Sequence, residues 1–442
     1  MDSTSHSGLS KRQIHKADVM KPGTDVTSQQ TKNSNLDELA GKDYGSSDPV
    51  IDVDDEKKGG CTCCAPETRP CVAVAKLLAC VLAGLVFGWA LEKSRVFEPE
   101  SIRLQMVFER WIMLKMFLAA MATGQLVLAF VSLIPATKSK FDQGAQSFAC
   151  TFQEKTILTS IIGPLILGSG MTVSGACPGM VLAQVGSWTN NAIYTLIGVL
   201  IGALFYGMVA PFIIRVTKPK NPIKKPTVWE KLNVPFYVLA LPMSILIWVA
   251  VILMEVFIPW QEDLPPQNIN YNATSNFFVL KSWPPSSAGA LIGILQLVIL
   301  FAVNDTLGGS SSYMTFVSQW VIGEKLQKTF PHLAKYRCGI GNWWQALYVL
   351  AAMGGGCLSA LSSDSLATAK GVSIPAAICG GFLLVFGARF GAGCTSGHGL
   401  SGAALLYWFS FLAVPFMFAG GIGTAFAMKA TGALYDFHEY DL

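Results

Sequence analysis

Two phrases in the chain set a thiol beside residues that start helices. Gly170-Met-Thr-Val-Ser-Gly-Ala-Cys177 runs into Pro178 and Gly179, and Gly387-Ala-Arg-Phe-Gly-Ala-Gly-Cys394 runs into Thr395, Ser396, Gly397 and His398. Proline suits the first turn of a helix, where its missing amide hydrogen loses nothing, so a short helix is expected from Pro178 with Cys177 at its mouth. Thr395 or Ser396 offers a hydroxyl cap to a second short helix. Both starts present free amides and a positive dipole end, an arrangement that favours anions. The soft, polarizable sulfur of Cys177 and Cys394 suits a ligand that itself carries sulfur. Arg389 adds a full positive charge and His398 a further contact.

Magnitudes limit that reading. A helix terminus contributes roughly 0.3 to 1 kcal/mol, about 2 when partly buried, whereas one charge at a bilayer centre costs about 2.5 to 3.5 kcal/mol. Two dipole ends alone do not carry a dianion, so Arg389, the hydroxyls, the thiols and some retained water must contribute. The same residues admit rival chemistries. Cys177 and Cys394 could form an exchangeable dithiol of a membrane redox enzyme, or hold a metal together with His398, which lies four positions from Cys394. Against these, no cofactor fingerprint, no carboxylate in either phrase and no electron-receiving soluble domain is present, and neither cofactor nor metal is expected. Cys80, Cys150, Cys338, Cys357 and Cys379 read as small apolar fillers.

The elements that must position these groups are membrane helices. The chain is 442 residues long, 52% hydrophobic and only 14% charged, where soluble domains run near 25% charged. Apolar stretches long enough to span a bilayer cover 71–91, 108–134, 191–215, 236–259, 286–304, 342–362 and 404–428. Two more, 156–186 and 374–403, are broken in the middle by the two thiol phrases. Broken helices survive in a bilayer only where protein or a wet cavity satisfies the freed backbone groups, so each break marks a lined site. No basic run interleaved with aromatics exists, which excludes nucleic acid as a partner. Trp343 and Trp344 read as interfacial anchors.

Charge sets the orientation. Residues 1–70 hold 9 Lys and Arg against 12 Asp and Glu, with Tyr44 the single aromatic, and read as a disordered cytoplasmic tail. The connections with Arg215, Lys218, Lys220, Lys224, Lys225 and Lys231, and with Lys325, Lys328, Lys335 and Arg337, belong in the cytoplasm. The segment 261–283, with Glu262, Asp263 and the acceptor pattern Asn272-Ala-Thr274, belongs outside. Cys61, Cys63 and Cys64, just before the first span, are candidates for S-acylation. About nine crossings satisfy these assignments. The expected organisation is the tail 1–70, a first repeat 71–215, a spacer 216–285 with the basic and external loops, a second repeat 286–430 and a short acidic tail 431–442. An odd spacer crossing makes the two repeats inverted, and paired broken helices in inverted repeats point to a transporter with a midplane site. Ile201-Gly-Ala-Leu-Phe205 and Ile422-Gly-Thr-Ala-Phe426 echo one another in the helices that follow the breaks. The glycines also have a packing explanation, close helix approach. The fold class is therefore an all-α polytopic protein with paired broken or re-entrant helices, in the lipid bilayer and expected at the plasma membrane.

The phrases 168–179 and 386–402 resemble the paired signatures of the YeeE/YedE sulfur-transport family, most specifically in the Cys-Thr-Ser-Gly-His-Gly run. Leu91-Glu-Lys-Ser-Arg-Val-Phe97 and Met113-Leu-Lys-Met-Phe-Leu-Ala-Ala120 are similar to further family phrases. The resemblance spans roughly residues 71–430. It implies an hourglass-shaped inverted-repeat fold, thiosulfate or a related small inorganic sulfur anion as substrate, and Cys177 and Cys394 lining the route by thiol hydrogen bonds without being consumed. A carrier and a passive anion channel share these features.

Overall fold

The computed structural model describes residues 70–151, 155–217, 227–265, 268, 276 and 278–438. The N-terminal tail to residue 69, with the Cys61, Cys63 and Cys64 cluster, and the Asn272 sequon lie outside the described residues, as does most of the first basic connection. The helices in chain order are α1 (Pro70–Lys93), α2 (Pro99–Met106), α3 (Ile112–Leu133), α4 (Pro135–Cys150), α5 (Ile157–Ser174), α6 (Met180–Gly186), α7 (Ala192–Thr217), α8 (Val228–Leu232) and α9 (Phe236–Phe257). They continue with α10 (Pro285–Val303), α11 (Ser310–Val317), α12 (Glu324–Thr329), α13 (Pro331–Ala334), α14 (Ile340–Ser362) and α15 (Ile374–Phe390), then a π-helix (Thr395–Gly402) and α16 (Trp408–Ala430). Among the described residues there are no strands, only two isolated bridges, Thr227 with Tyr407 and Gly371 with His438.

Among the described residues, eight helices are long and apolar enough to cross a membrane, nine when α15 and the π-helix, bent by 45°, are counted together. Local chemistry sets their ends. Thr156 and Thr159 cap one another's backbone amides at the start of α5, and Gly175, at φ +58°, ends it in the left-handed conformation against Pro99. Pro99, Pro135 and Pro285 open α2, α4 and α10, where a missing N–H costs nothing.

Helix pairing is matched between the two parts of the chain. α1 packs on α14 as α10 packs on α3, α15 packs on α7 as α16 packs on α5, and α5 and α15 pack on each other. Small residues make the central crossing close. A Cβ at Gly387 would overlap the Leu167 amide nitrogen and lie 2.8 Å from the Gly163 carbonyl, and one at Gly170 would lie 2.5 Å from the Leu384 amide nitrogen.

Backbone hydrogen bonds define the two ends of the bundle. At one end Trp283 donates to the Lys93 carbonyl at 2.7 Å and Ala367 to Ser187 at 3.0 Å. At the other, Val228 donates to Leu406 at 2.9 Å, and Lys155 Nζ donates to the carbonyls of Arg389 and Phe390 at 3.2 Å each. The latter is the basic end, from which the Lys-rich connections leave. α5 finishes at the far end, and α6 returns there, its Gln184 amide donating to the Phe97 and Gly175 carbonyls at 2.8 Å each. α15 finishes at the basic end, and the π-helix returns there through Leu406. Both short helices are therefore re-entrant, one from each end, with Cys177 and Cys394 at their inner starts.

Charges buried at the far end pair with one another and with neighbouring hydroxyls and carbonyls. Glu92 accepts from Ser359 at 2.6 Å, Ser365 at 2.8 Å and Arg95 at 3.2 Å, while Lys93 donates to the Ser359 carbonyl. Arg103 donates to five carbonyls, Thr172 and Val173 at the end of α5 and Ala433, Leu434 and Asp436 beyond α16. Lys115 in α3 meets Glu255 of α9 at 3.1 Å. A buried ion pair of this kind adds little net stability but is costly to break on one side. Trp344, expected as an interfacial anchor, is instead 1% exposed inside the core, while Trp343 is partly exposed. The pair are adjacent on a helix, about 100° apart, so they cannot share one environment.

Candidate functional site

The two breaks meet. Cys177 and Cys394 are 7% and 1% exposed and lie within electrostatic range of one another, and the Tyr313 hydroxyl lies within that range of both. Tyr313, on α11 of the second repeat, donates to the Pro178 carbonyl of the first at 2.6 Å. Gly308, just before α11, approaches Gly397, so that a Cβ there would sit 4.0 Å from the Gly397 Cα. Ser401 fixes this loop by donating to the Leu307 carbonyl at 2.6 Å.

Each break has its own local chemistry. Gly179, not Pro178, is the residue preceding α6, and the amides of Met180 and Gly179 lie within hydrogen-bonding range of the Cys177 sulfur. A Cβ at Gly179 would sit 3.4 Å from the Phe87 ring, so this position borders an aromatic wall. In the second break Cys394 itself precedes the π-helix, in extended conformation, and its carbonyl accepts from His398 N at 2.8 Å.

The hydroxyl cap expected at Thr395 or Ser396 is not made. Thr395 Oγ1 donates to Met171 Sδ at 3.4 Å and Met417 Sδ at 3.3 Å, and Ser396 Oγ lies 3.1 Å from Cys394 Sγ. The wider π turn moves both side chains past the positions from which an α-helical cap reaches its amide. First-turn amides still lack intrahelical partners, as at any helix start.

His398 is fully buried, with Nδ1 3.2 Å from Ser410 Oγ and Nε2 3.2 Å from the Gly391 carbonyl. Both ring nitrogens are thus engaged in holding the re-entrant segment, which is a positioning arrangement. Among the described residues no group of three His, Cys, Asp or Glu side chains is disposed to hold a metal.

Arg389 is not gathered with the thiols. It lines a separate cavity of about 320 Å³ at the basic end, with Lys155, Tyr206, His332, Lys335 and Tyr336. Its guanidinium stacks 5.2 Å from the Tyr336 ring and donates to the Tyr336 hydroxyl. Burial, reinforced by Arg389, Lys335 and Lys155, pushes the His332 pKa down to about 3, so its imidazole is neutral at physiological pH. Cys150, expected as a filler, is exposed and lines the same cavity, whereas Cys80 is buried in the core.

Tyr313, Met171, Met417 and Phe87 were not singled out from the sequence. Tyr313 had a signal, the run Gly308-Gly-Ser-Ser-Ser-Tyr313 directly after an apolar span, which is a third interruption in the sense already applied to the other two. Met417 and Phe87 had none, because they sit within unbroken apolar stretches, and Met171, although inside the first thiol phrase, carries no mark that sets it apart from a packing residue.

A family model described as sulphur transport matches residues 93–423, three-quarters of the chain. The matched segment includes both thiol phrases, both re-entrant helices and the cavity. A search of curated proteins finds no match.

Proposed function

Because the chain belongs to the sulphur-transport family, we propose that it moves thiosulfate, or a closely related sulfur oxyanion, across the membrane through the waist formed by its two re-entrant segments. The observation that carries this reading is the convergence of Cys177 and Cys394, contributed by oppositely directed breaks and set against one another with Tyr313. Thiols meet a terminal sulfur atom as soft, weak donors, and Ser396 with the first-turn amides of the π-helix meets the oxygens. No fixed charge belongs to this group of residues, so the anion is held there by dipoles worth roughly 1 kcal/mol each. Such a site is strong enough to admit an ion and weak enough to release it, which is what passage requires. In this reading the cavity end faces the cytoplasm and the 261–283 segment lies outside, an orientation that the Lys-rich connections support.

The test is uptake of labelled thiosulfate into proteoliposomes and growth on thiosulfate of cells without another route. Cys177→Ala and Cys394→Ala each abolish both, with the variant protein still present in the membrane. Undiminished uptake by the double variant would remove the thiols from the route. The second reading, a redox or metal enzyme on the same cysteines, loses its nitrogen ligand to the Ser410 and Gly391 contacts of His398.

A further inference from the structure

Tyr348, on α14, belongs to neither thiol phrase and yet adjoins the same waist. Its carbonyl oxygen lies where a Cβ at Gly84 of α1 would stand, so the α1–α14 crossing fixes its backbone. Its ring sits 5.4 Å from Phe87 and 6.2 Å from Trp344, centroid to centroid, and Phe87 is the ring that borders Gly179 at the first break. The hydroxyl lies within electrostatic range of the Cys394 thiol at the second break. One residue on, a Cβ at Gly309 in the third interruption would be 3.8 Å from Val349 Cγ2. This turn of α14 therefore borders all three interruptions.

The Tyr348 hydroxyl is also idle. Tyr348 is 2% exposed, and its Oη is buried without a hydrogen-bond partner. Neighbouring hydroxyls are committed, Tyr313 to the Pro178 carbonyl, Thr395 to two methionine sulfurs and Ser401 to the Leu307 carbonyl. A buried hydroxyl left unpaired is uncommon and calls for a partner. An oxyanion answers that need, because it brings strong acceptors. The Phe87 and Trp344 rings hold the phenol in place beforehand, which lowers the entropy lost on binding.

We propose that Tyr348 is a substrate contact of the waist, its hydroxyl donating to an oxygen of the anion while Cys177 and Cys394 meet the terminal sulfur. The inference rests on the transport reading for the identity of that anion. A phenol is a harder donor than a thiol, so this contact favours anions that carry oxygen over bare sulfide.

The experiment compares wild type, Tyr348→Phe and Tyr313→Phe in two measurements, labelled-thiosulfate uptake by proteoliposomes and unfolding temperature of the purified chain at rising thiosulfate concentration. Tyr348→Phe raises KM about tenfold, the loss of one charge-assisted hydrogen bond, and leaves the maximal rate near that of wild type. The thiosulfate concentration that gives half of the stabilisation rises by the same factor. Without anion, Tyr348→Phe unfolds at the wild-type temperature or above, because the group removed had no partner, whereas Tyr313→Phe loses a bond already made and unfolds lower. An unchanged KM overturns the proposal. So does a fall in the anion-free unfolding temperature of Tyr348→Phe, or a variant that fails to fold, since either shows the hydroxyl to be bonded within the protein already. If wild type takes up no thiosulfate but is stabilised by it in a Tyr348-dependent manner, the transport reading fails and the contact stands. Absence of both uptake and stabilisation in wild type overturns the two together.

Discussion

Thr395 and Ser396 direct their hydroxyls to sulfur atoms, Met171, Met417 and Cys394, and in doing so knit the second break to α5 and α16. Tyr313→Phe removes the single hydroxyl that joins α11 to Pro178. A net loss near 1 kcal/mol is expected, together with a buried carbonyl left without its donor, seen as a lower unfolding temperature and slower thiosulfate uptake. His332 gives a pH signature of its own. With its folded pKa near 3 and an ordinary value of 6.5, folded and unfolded chains are equally deprotonated above about pH 7. As pH falls from 6.5 towards 3 the unfolded chain takes up a proton that the folded one refuses, so stability declines. His332→Gln flattens that decline in thermal scans between pH 7 and pH 4; an identical slope in the variant would contradict the buried, neutral imidazole. At this scale the sequence was informative about the thiols, because a cysteine at a helix break has few bland uses. It grouped Arg389 with them, whereas five residues along a chain that turns at Gly391 suffice to move a side chain into another chamber.

The crossing of α5 with α15 depends on backbone approaching backbone. Gly387→Ala places a methyl group against Leu167 N and the Gly163 carbonyl, and overpacking of this type costs about 1 to 3 kcal/mol. Gly423, in α16, has nothing within 4 Å of its would-be Cβ, so Gly423→Ala is neutral or stabilising by about 1 kcal/mol from helix propensity. Unfolding of the two variants in the same detergent separates packing glycines from idle ones; equal midpoints would contradict the tight crossing. Long apolar spans were readable to within a few residues, as 236–259 against Phe236–Phe257 shows. The short elements were not. α2 and α11 are eight residues each and leave no periodic stretch long enough to recognise. The mixed polar face of α4 likewise hides it from a search for spans. Around the π turn Gly393 and Gly399 leave no room for a Cβ beside the His398 and Phe117 rings, a fit that no linear pattern reveals.

At the scale of the molecule, an organisation in two inverted halves would account for why each break is entered from a different end. Odd crossing number and loop charge lead to the same expectation, because both are properties of whole segments. Thiol labelling checks it. A cysteine placed at Lys335 reacts with an impermeant reagent only after the cells are opened, and one placed at Glu262 reacts in intact cells; the reverse pattern would turn the molecule over. The guanidinium of Arg103 bears on how such a chain is assembled. Two of its acceptors lie at the end of α5, but the other three belong to residues 330 to 333 positions further along the chain. During synthesis this cation therefore waits, solvated or half-matched, until the final span has been threaded and its trailing segment folds back. A truncation that stops at Gly432 would deliver every crossing to the bilayer and still leave the earliest repeat unsealed, a defect visible as protease sensitivity near residues 172–176 in an otherwise inserted polypeptide.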